Sequence, residues 1–392
     1  MCSKTVVKKT TFFLFVACCI LDPSNKILGL KEVTFLLFLI SHIKDYLKSF
    51  NAVLFLYSIF FALIFPSFYL FIGMAIDNHF SKEVALSTFR AFPLIIMLNF
   101  LLNKDIQYEH IFSRITIILV PTTLIIFFLV FTGNSEIVNN YLGGFKTTVM
   151  LARRDFGDTT FLMIYFKTIS LLLFGLSYEL SKQKNLRISL LSIFILTALI
   201  LSASRAVLIS AFLITFFHLY RMWFSKSTTK KYLFYIFNIL VLFPTLIPIA
   251  RDFFDPNEPS NAIKYGFFID YLNIWKTDPI SFFTGNGLGS GIYTSQRGIS
   301  YNLETTYLEI IRVFGIFGGL ILFITLIFPI AYYFNLNQKK NISTKSKYFL
   351  LSYFCYVFFI IPSNPLLFSS TGILAICLTY SLIFKIKRYN FY

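Results

Sequence analysis

Apolar runs of membrane-crossing length recur along the whole of this chain, and that recurrence decides the solvent it folds in. A helix needs roughly 20 residues to cross about 30 Å of hydrocarbon. Runs near that length fall at 6–21, 27–43, 51–73, 84–102, 112–132, 158–178, 187–204, 206–224, 232–250, 305–334, 346–361 and 366–384. The first two are short and parted by the turn signal Asp22-Pro23-Ser24-Asn25, so they read as a hairpin. The total is therefore about ten to twelve spans. The run at 305–334 exceeds one span, which predicts tilting, a kink near Pro329 or extension beyond the bilayer. Only 14% of the 392 residues are charged and 57% are hydrophobic. A water-soluble fold, with about 25% charged residues, has a polar exterior that this chain cannot supply. The expectation is an all-α polytopic membrane protein, a single integral membrane domain over 1–392.

A formal net charge of +17 raises the question of a nucleic-acid partner. The positions of the charges argue against one, because most lysines and arginines cluster in short loops between apolar runs, as membrane topology demands. Taking the N-terminus as cytoplasmic places Lys44, Lys48, Lys182, Lys184, Arg187, Lys226, Lys230, Lys231, Lys339 and Lys340 on that side. Both termini then face the cytoplasm, and two sizeable external segments remain, 133–157 and 251–304. The basic, apolar N-terminus with Phe15-Val16-Ala17-Cys18 mimics a cleaved signal, but the spans behind it favour an uncleaved first helix. Cys2, Cys18, Cys19, Cys355 and Cys377 have no CxxC spacing and no place in the external loops, so no disulfide framework or metal site is read from them. His42, His79, His110 and His218 are scattered, and no cofactor or metal is expected.

Charges close to hydrocarbon are costly and therefore mark candidate sites. Arg205 ends one apolar run and opens the next in Leu201-Ser202-Ala203-Ser204-Arg205, where it either snorkels at a turn or binds an anion beside two serines. Arg312 lies inside a span, three residues after Glu309, and reads either as half of a buried ion pair or as a charged cavity wall. Glu304 and Asn302 precede that span. Glu304 is a candidate general base or a carboxylate favoured by a helix N-terminus. Arg153, Arg154, Arg251 and Arg297 make the external face basic and suit phosphate oxygens, which guanidinium groups bind bidentately. Gly285-Asn286-Gly287-Leu288-Gly289 lacks the strand, lysine and helix of a nucleotide phosphate loop, and its glycines permit tight backbone turns near a ligand.

Read in order, these features resemble the O-antigen polymerase (Wzy) family. The resemblance runs from Ser202-Ala203-Ser204-Arg205 through the long loop and Gly-Asn-Gly-Leu-Gly to Asn302-Leu303-Glu304-Thr305-Thr306-Tyr307-Leu308. It continues with Arg312-Val313-Phe314-Gly315-Ile316-Phe317-Gly318 and ends with Ser363-Asn364-Pro365 and Ser369-Ser370-Thr371-Gly372. It implies a membrane glycosyltransferase of GT-C type in the bacterial inner membrane. Such an enzyme joins undecaprenyl-diphosphate-linked oligosaccharide units at the external face, without metal or nucleotide sugar, alongside a possible chain-length regulator. It also implies that Arg205, Arg312, Arg297 and Arg251 hold diphosphate or glycan, with Glu304 as base. O-antigen ligases share the layout but typically carry a His near 302–305, and this chain has none after His218. A flippase or transporter of the same lipid-linked glycan is the non-enzyme alternative, although no relation between halves is visible.

Overall fold

A backbone removed from water must satisfy its own hydrogen bonds, so apolar runs in lipid close into helices. The structure, a computed structural model, describes residues 2–23, 29–48, 50–76, 79–103, 105–134, 136, 149–156, 159–183, 189–224, 259–301, 303–337 and 342–388. The run expected at 232–250, together with Arg251 and Asn302, lies outside the described residues.

Helices α1 (Cys2–Leu21) and α2 (Leu30–Lys48) pack as the expected hairpin. Helix α3 (Ala52–Ile76) is continuous through a π-turn at Phe60–Ile64. The run at 84–102 is not one helix. It divides into α4 (Lys82–Phe89) and a 3₁₀ segment, Phe92–Asn99, with Pro93 near its start, where a missing N–H and a fixed φ are tolerated. Helix α5 (Tyr108–Phe131) is followed by a β-hairpin, β1 (Val149–Phe156) paired antiparallel with β2 (Thr159–Phe166). Then come α6 (Leu172–Lys182), α7 (Leu190–Leu201) and α8 (Arg205–Phe224).

The long loop contributes α9 (Pro259–Thr277), α10 (Pro279–Thr284) and a small hairpin, β3 (Ile292–Thr294) with β4 (Gly298–Ser300). Helices α11 (Thr306–Asn337), α12 (Thr344–Ser363) and α13 (Ser370–Arg388) close the chain. Among the described residues, α3, α5, α8, α11, α12 and α13 are the 6 helices long and apolar enough to cross a membrane, and α7 is shorter. The protein is thus a multi-pass, predominantly helical membrane protein.

Two expectations need correction. The run at 158–178 begins as a strand, because Thr159-Thr160-Phe161-Leu162-Met163-Ile164-Tyr165-Phe166 is β-branched and aromatic, and an apolar run of that length has no period that distinguishes helix from strand. The described residues are nonetheless predominantly helical, in keeping with the all-α expectation, and the two short hairpins are its local exceptions. The break in the long helix α11 falls at Gly315 (φ 64°, ψ 176°), whereas Pro329 lies within the continuing helix.

The distribution of side chains fits lipid as the solvent. Val53, Leu56, Phe71, Phe128, Phe131, Phe317 and Ile324 are exposed, while Ser58, Thr123, Ser177, Ser352 and Thr379 are wholly buried. Ser58, Thr123 and Thr379 bond the carbonyl one turn back, at 2.8, 2.7 and 2.8 Å. The Ser352 hydroxyl crosses to α6, bonding the Leu173 carbonyl at 3.0 Å and the Ser177 hydroxyl. Small polar residues at helix contacts let backbones approach without leaving a polar group in hydrocarbon.

Two glycines of α11 separate backbone need from mere tolerance. A Cβ at Gly315 would lie 2.1 Å from the Phe283 carbonyl oxygen, in the left-handed region, while one at helical Gly319 meets nothing closer than 3.5 Å. Gly315→Ala is expected to destabilise the protein by about 2 kcal/mol or more. Gly319→Ala is expected to be neutral or to stabilise by up to about 1 kcal/mol. Thermal unfolding of the two variants in the same detergent checks the contrast.

Candidate functional site

The site is assembled by the glycine-rich segment after α10. Asp278 caps α10 by accepting from the Ser281 N–H at 3.3 Å, and the helix stops at Gly285. Gly285, Gly287 and Gly289 all have positive φ, at 77°, 81° and 81°. Added Cβ atoms would lie 2.4 Å from the Gly315 nitrogen, 2.0 Å from the Gly73 nitrogen and 2.5 Å from the Ala85 Cβ, respectively. The glycines thus admit the segment against three helices. Asn286 N donates to the Arg312 carbonyl at 2.7 Å, and Gly287 N to the Val313 carbonyl at 2.9 Å, beside the break at Gly315. Leu288 N donates to the Tyr69 carbonyl on α3 at 2.8 Å, and Ser81 N to the Gly289 carbonyl at 2.9 Å.

Arg312 fastens this loop from below. Its guanidinium is 2% exposed and pairs bidentately with Glu309, Nε to Oε2 at 2.8 Å and Nη2 to Oε1 at 2.6 Å. Nη1 donates to the Ser290 hydroxyl at 2.7 Å, and Nη2 to the Ser290 carbonyl at 3.0 Å. The Tyr271 hydroxyl, from α9, donates to Glu309 Oε2 at 2.6 Å. Burial, and then the Glu309 charge, hold the Tyr271 hydroxyl well above its ordinary pKa, so it remains a donor. The ion-pair reading of Arg312 is the one realised. Ser290, the further partner of Arg312, and Tyr271, that of Glu309, carry no signal in the sequence, because they lie 22 and 38 residues from the groups they bond.

Above this anchor the charges become accessible. The β3–β4 turn carries Arg297 and is pinned to α9 by Ser295, whose N–H and hydroxyl both donate to Asp270 at 3.0 and 3.1 Å. Arg297 Nη2 lies 3.4 Å from Glu304 Oε1, both side chains being partly exposed, and the guanidinium sits 5.4 Å over the Phe267 ring. An exposed pair of this length is weakly held, so both partners stay available to a ligand. No family model, curated protein or solved structure matches this chain.

Arg205 opens α8 two residues after Ala203, the only non-glycine residue with positive φ among the described residues, at 45°. A cation in the first turn of a helix opposes the helix dipole, so local structure does not call for it there. Arg205 Nη1 donates to Asn261 Oδ1 at 2.8 Å, which ties α8 to the start of α9. Tyr165, near the end of β2, donates to Asn364 Oδ1 at 3.0 Å, and the Thr306 hydroxyl donates to the Asn364 carbonyl at 2.8 Å. The Glu304 charge reaches Tyr165. Asn364 therefore ties together the first hairpin, the start of α11 and the link between the last two helices.

The structure thus brings Arg297 and Glu304 into contact, couples Arg312 to the loop above it and ties Arg205 to that loop's first helix. Arg153 and Arg154 lie on β1 opposite Leu162 and Phe161, and the description of them ends at the backbone. Among the described residues, no three His, Cys, Asp or Glu side chains converge as a metal site.

Removing one member of a buried pair leaves the other charge uncompensated. Arg312→Met and Glu309→Gln are each expected to cost about 3 to 5 kcal/mol, and the double variant markedly less than their sum. Thermal unfolding read as a double-mutant cycle checks this.

Proposed function

We propose that this protein is a polysaccharide repeat-unit polymerase, a membrane glycosyltransferase acting on lipid-diphosphate-linked oligosaccharides. The observation that carries the reading is the accessible Arg297–Glu304 pair, set with Arg205 around a loop that is clamped to the end of an apolar helical bundle. Its chemistry needs a base for a sugar hydroxyl and positive charge for a diphosphate, and those residue types are the ones at the mouth. The family resemblance of the sequence points the same way.

In this reaction Glu304 takes the proton of the acceptor sugar hydroxyl. The resulting oxygen attacks the anomeric carbon of the growing chain, and the bond from that carbon to the lipid diphosphate breaks. The leaving diphosphate keeps the electron pair, and Arg205 and Arg297 stabilise its charge. Arg251 joins them from the loop, and Asn302, Arg153 and Arg154 contact glycan. Arg312 holds the loop in register rather than touching substrate. A small apolar cavity lined by Tyr57, Phe92, Leu322, Phe368, Ile376 and Tyr380 lies between the helices. The packed rings of Phe92, Phe368 and Phe314 connect that cavity to the segment of α11 that bears Arg312. The substrate is undecaprenyl-diphosphate-linked oligosaccharide, the membrane is the bacterial inner membrane with both termini cytoplasmic, and a separate chain-length regulator acts beside the enzyme.

Deleting the gene is expected to leave surface glycan of a single repeat unit, with full polymer restored by wild type. Arg205→Ala and Glu304→Gln are expected to lower polymer by about a hundredfold or more. Gel profiles of the surface polysaccharide check both. Complete loss of surface glycan with lipid-linked units held on the cytoplasmic side would identify a flippase instead.

A further inference from the structure

A basic cluster stands at the end of the bundle away from the glycine-rich loop. Helix α12 finishes beside Asn364, at the loop end, so its first turn at Thr344 lies at the opposite end. Helix α6 packs against α12 and ends there at Lys182. The buried ring of Tyr178, one turn before Lys182, is the hub of the cluster. Arg114, Lys182 and Lys345 place their charges 5.2, 4.1 and 6.0 Å from the centre of that ring. Arg114 Nε also donates to the Tyr178 hydroxyl at 2.5 Å. These contacts position the cations without neutralising them.

One carboxylate answers the three. Glu179 pairs with Lys182 at 2.6 Å. Glu109, just over one turn before Arg114 on α5, is buried and faces Lys385 at 4.0 Å. Among the described residues, Arg114 and Lys345 make no ion pair, and Nη1 and Nη2 of Arg114 have no hydrogen-bond partner. Both side chains are exposed.

Helix α5 shows what lies beyond Arg114. Arg114, Ile118, Pro121, Ile125 and Phe128 recur at intervals of four and three residues, which puts them on one face of the helix, and all are exposed. Phe112, Ile115, Leu119 and Thr123, on the other side, are buried. A guanidinium with two unused donor groups therefore heads an apolar stripe on a membrane-crossing helix. The complementary ligand carries anionic oxygens at one end and hydrocarbon at the other.

We propose that Arg114 and Lys345, held by Tyr178, bind the phosphate of an anionic phospholipid whose acyl chain lies along the exposed face of α5. The guanidinium takes two phosphate oxygens through Nη1 and Nη2, and the Lys345 ammonium adds a point charge. A soluble phosphate ester would leave the stripe uncovered. The site does not depend on the polymerase reading.

The test titrates the full chain, in a non-ionic detergent, with phosphatidylglycerol or with phosphatidylcholine of the same acyl chains, and counts bound lipid by native mass spectrometry. Wild type is expected to bind one phosphatidylglycerol about tenfold or more tighter than phosphatidylcholine. Equal affinity for the two lipids overturns the proposal, and the wild-type chain alone decides this. Lys345→Gln, which removes no hydrogen bond, is expected to weaken phosphatidylglycerol binding about threefold or more. Arg114→Gln combined with Lys345→Gln, its fold checked by thermal midpoint, is expected to abolish the preference, and a preference that survives there refutes the site. Lys48→Gln removes an exposed charge on α2 and is expected to change nothing; an equal loss in that variant would show a general charge effect and contradict the assignment. Glycerol phosphate, the headgroup without chains, is expected not to displace the lipid at about a hundredfold excess. Displacement would assign the cluster to a soluble phosphate ester and overturn the lipid reading. The assay reads lipid binding and not sugar transfer, so its outcome and that of the glycan profile are separable.

Discussion

The guanidinium of Arg312, buried within the helical bundle, is the constraint on which the functional end of this protein depends. A charge removed from water persists only when every donor finds a partner. Glu309 on its own helix supplies two oxygens, and Ser290 on the loop supplies two more. Because Ser290 belongs to the glycine-rich segment, satisfying the charge also fixes that segment. Tyr271 extends the same network into α9 through Glu309. One buried charge thus sets the position of the loop helix, the glycine turns and the small hairpin that carries Arg297.

The break at Gly315 is the geometric counterpart of that electrostatic anchor. An unbroken helix would direct the Arg312 and Val313 carbonyls along its own axis. Beside the break they accept the Asn286 and Gly287 N–H groups instead. Three alternating glycines with positive φ bring the loop within contact distance of α11, α3 and α4. Irregular backbone is tolerated next to a membrane where protein encloses it. The loop is therefore an integral part of the bundle's packing.

Six of the expected apolar runs are helices of membrane-crossing length among the described residues, and these were legible because lipid imposes length and apolarity on every crossing segment. The reading failed where those two properties do not discriminate. Thr159 to Phe166 is as apolar as a helix and pairs as a strand. Pro329 was offered as a kink site beside tilting or extension beyond the bilayer, yet the break occurs at Gly315, where the Phe283 carbonyl needs room that any Cβ would occupy. Such a demand comes from a chain segment 32 residues away and leaves no local pattern. At the site, Arg312 beside Glu309 was readable from helical spacing, and Arg205 from its place between two apolar runs. The glycine segment was read as flexibility near a ligand, whereas its glycines answer to close backbone packing. Ser290 and Tyr271 acquire their roles only from tertiary contact.

The reading as a polymerase joins an exposed Arg297–Glu304 pair, and Arg205 bonded to the first helix of the same loop, to a chemistry that needs those groups. Reconstitution tests it most directly. The purified chain in liposomes would receive a single synthetic repeat unit linked through diphosphate to undecaprenol, with no other protein or nucleotide sugar present. A ladder of products differing by one repeat unit, with release of undecaprenyl diphosphate and loss of both in Glu304→Gln, is the predicted result. Unchanged substrate recovered from liposomes that hold a correctly folded chain would contradict the account.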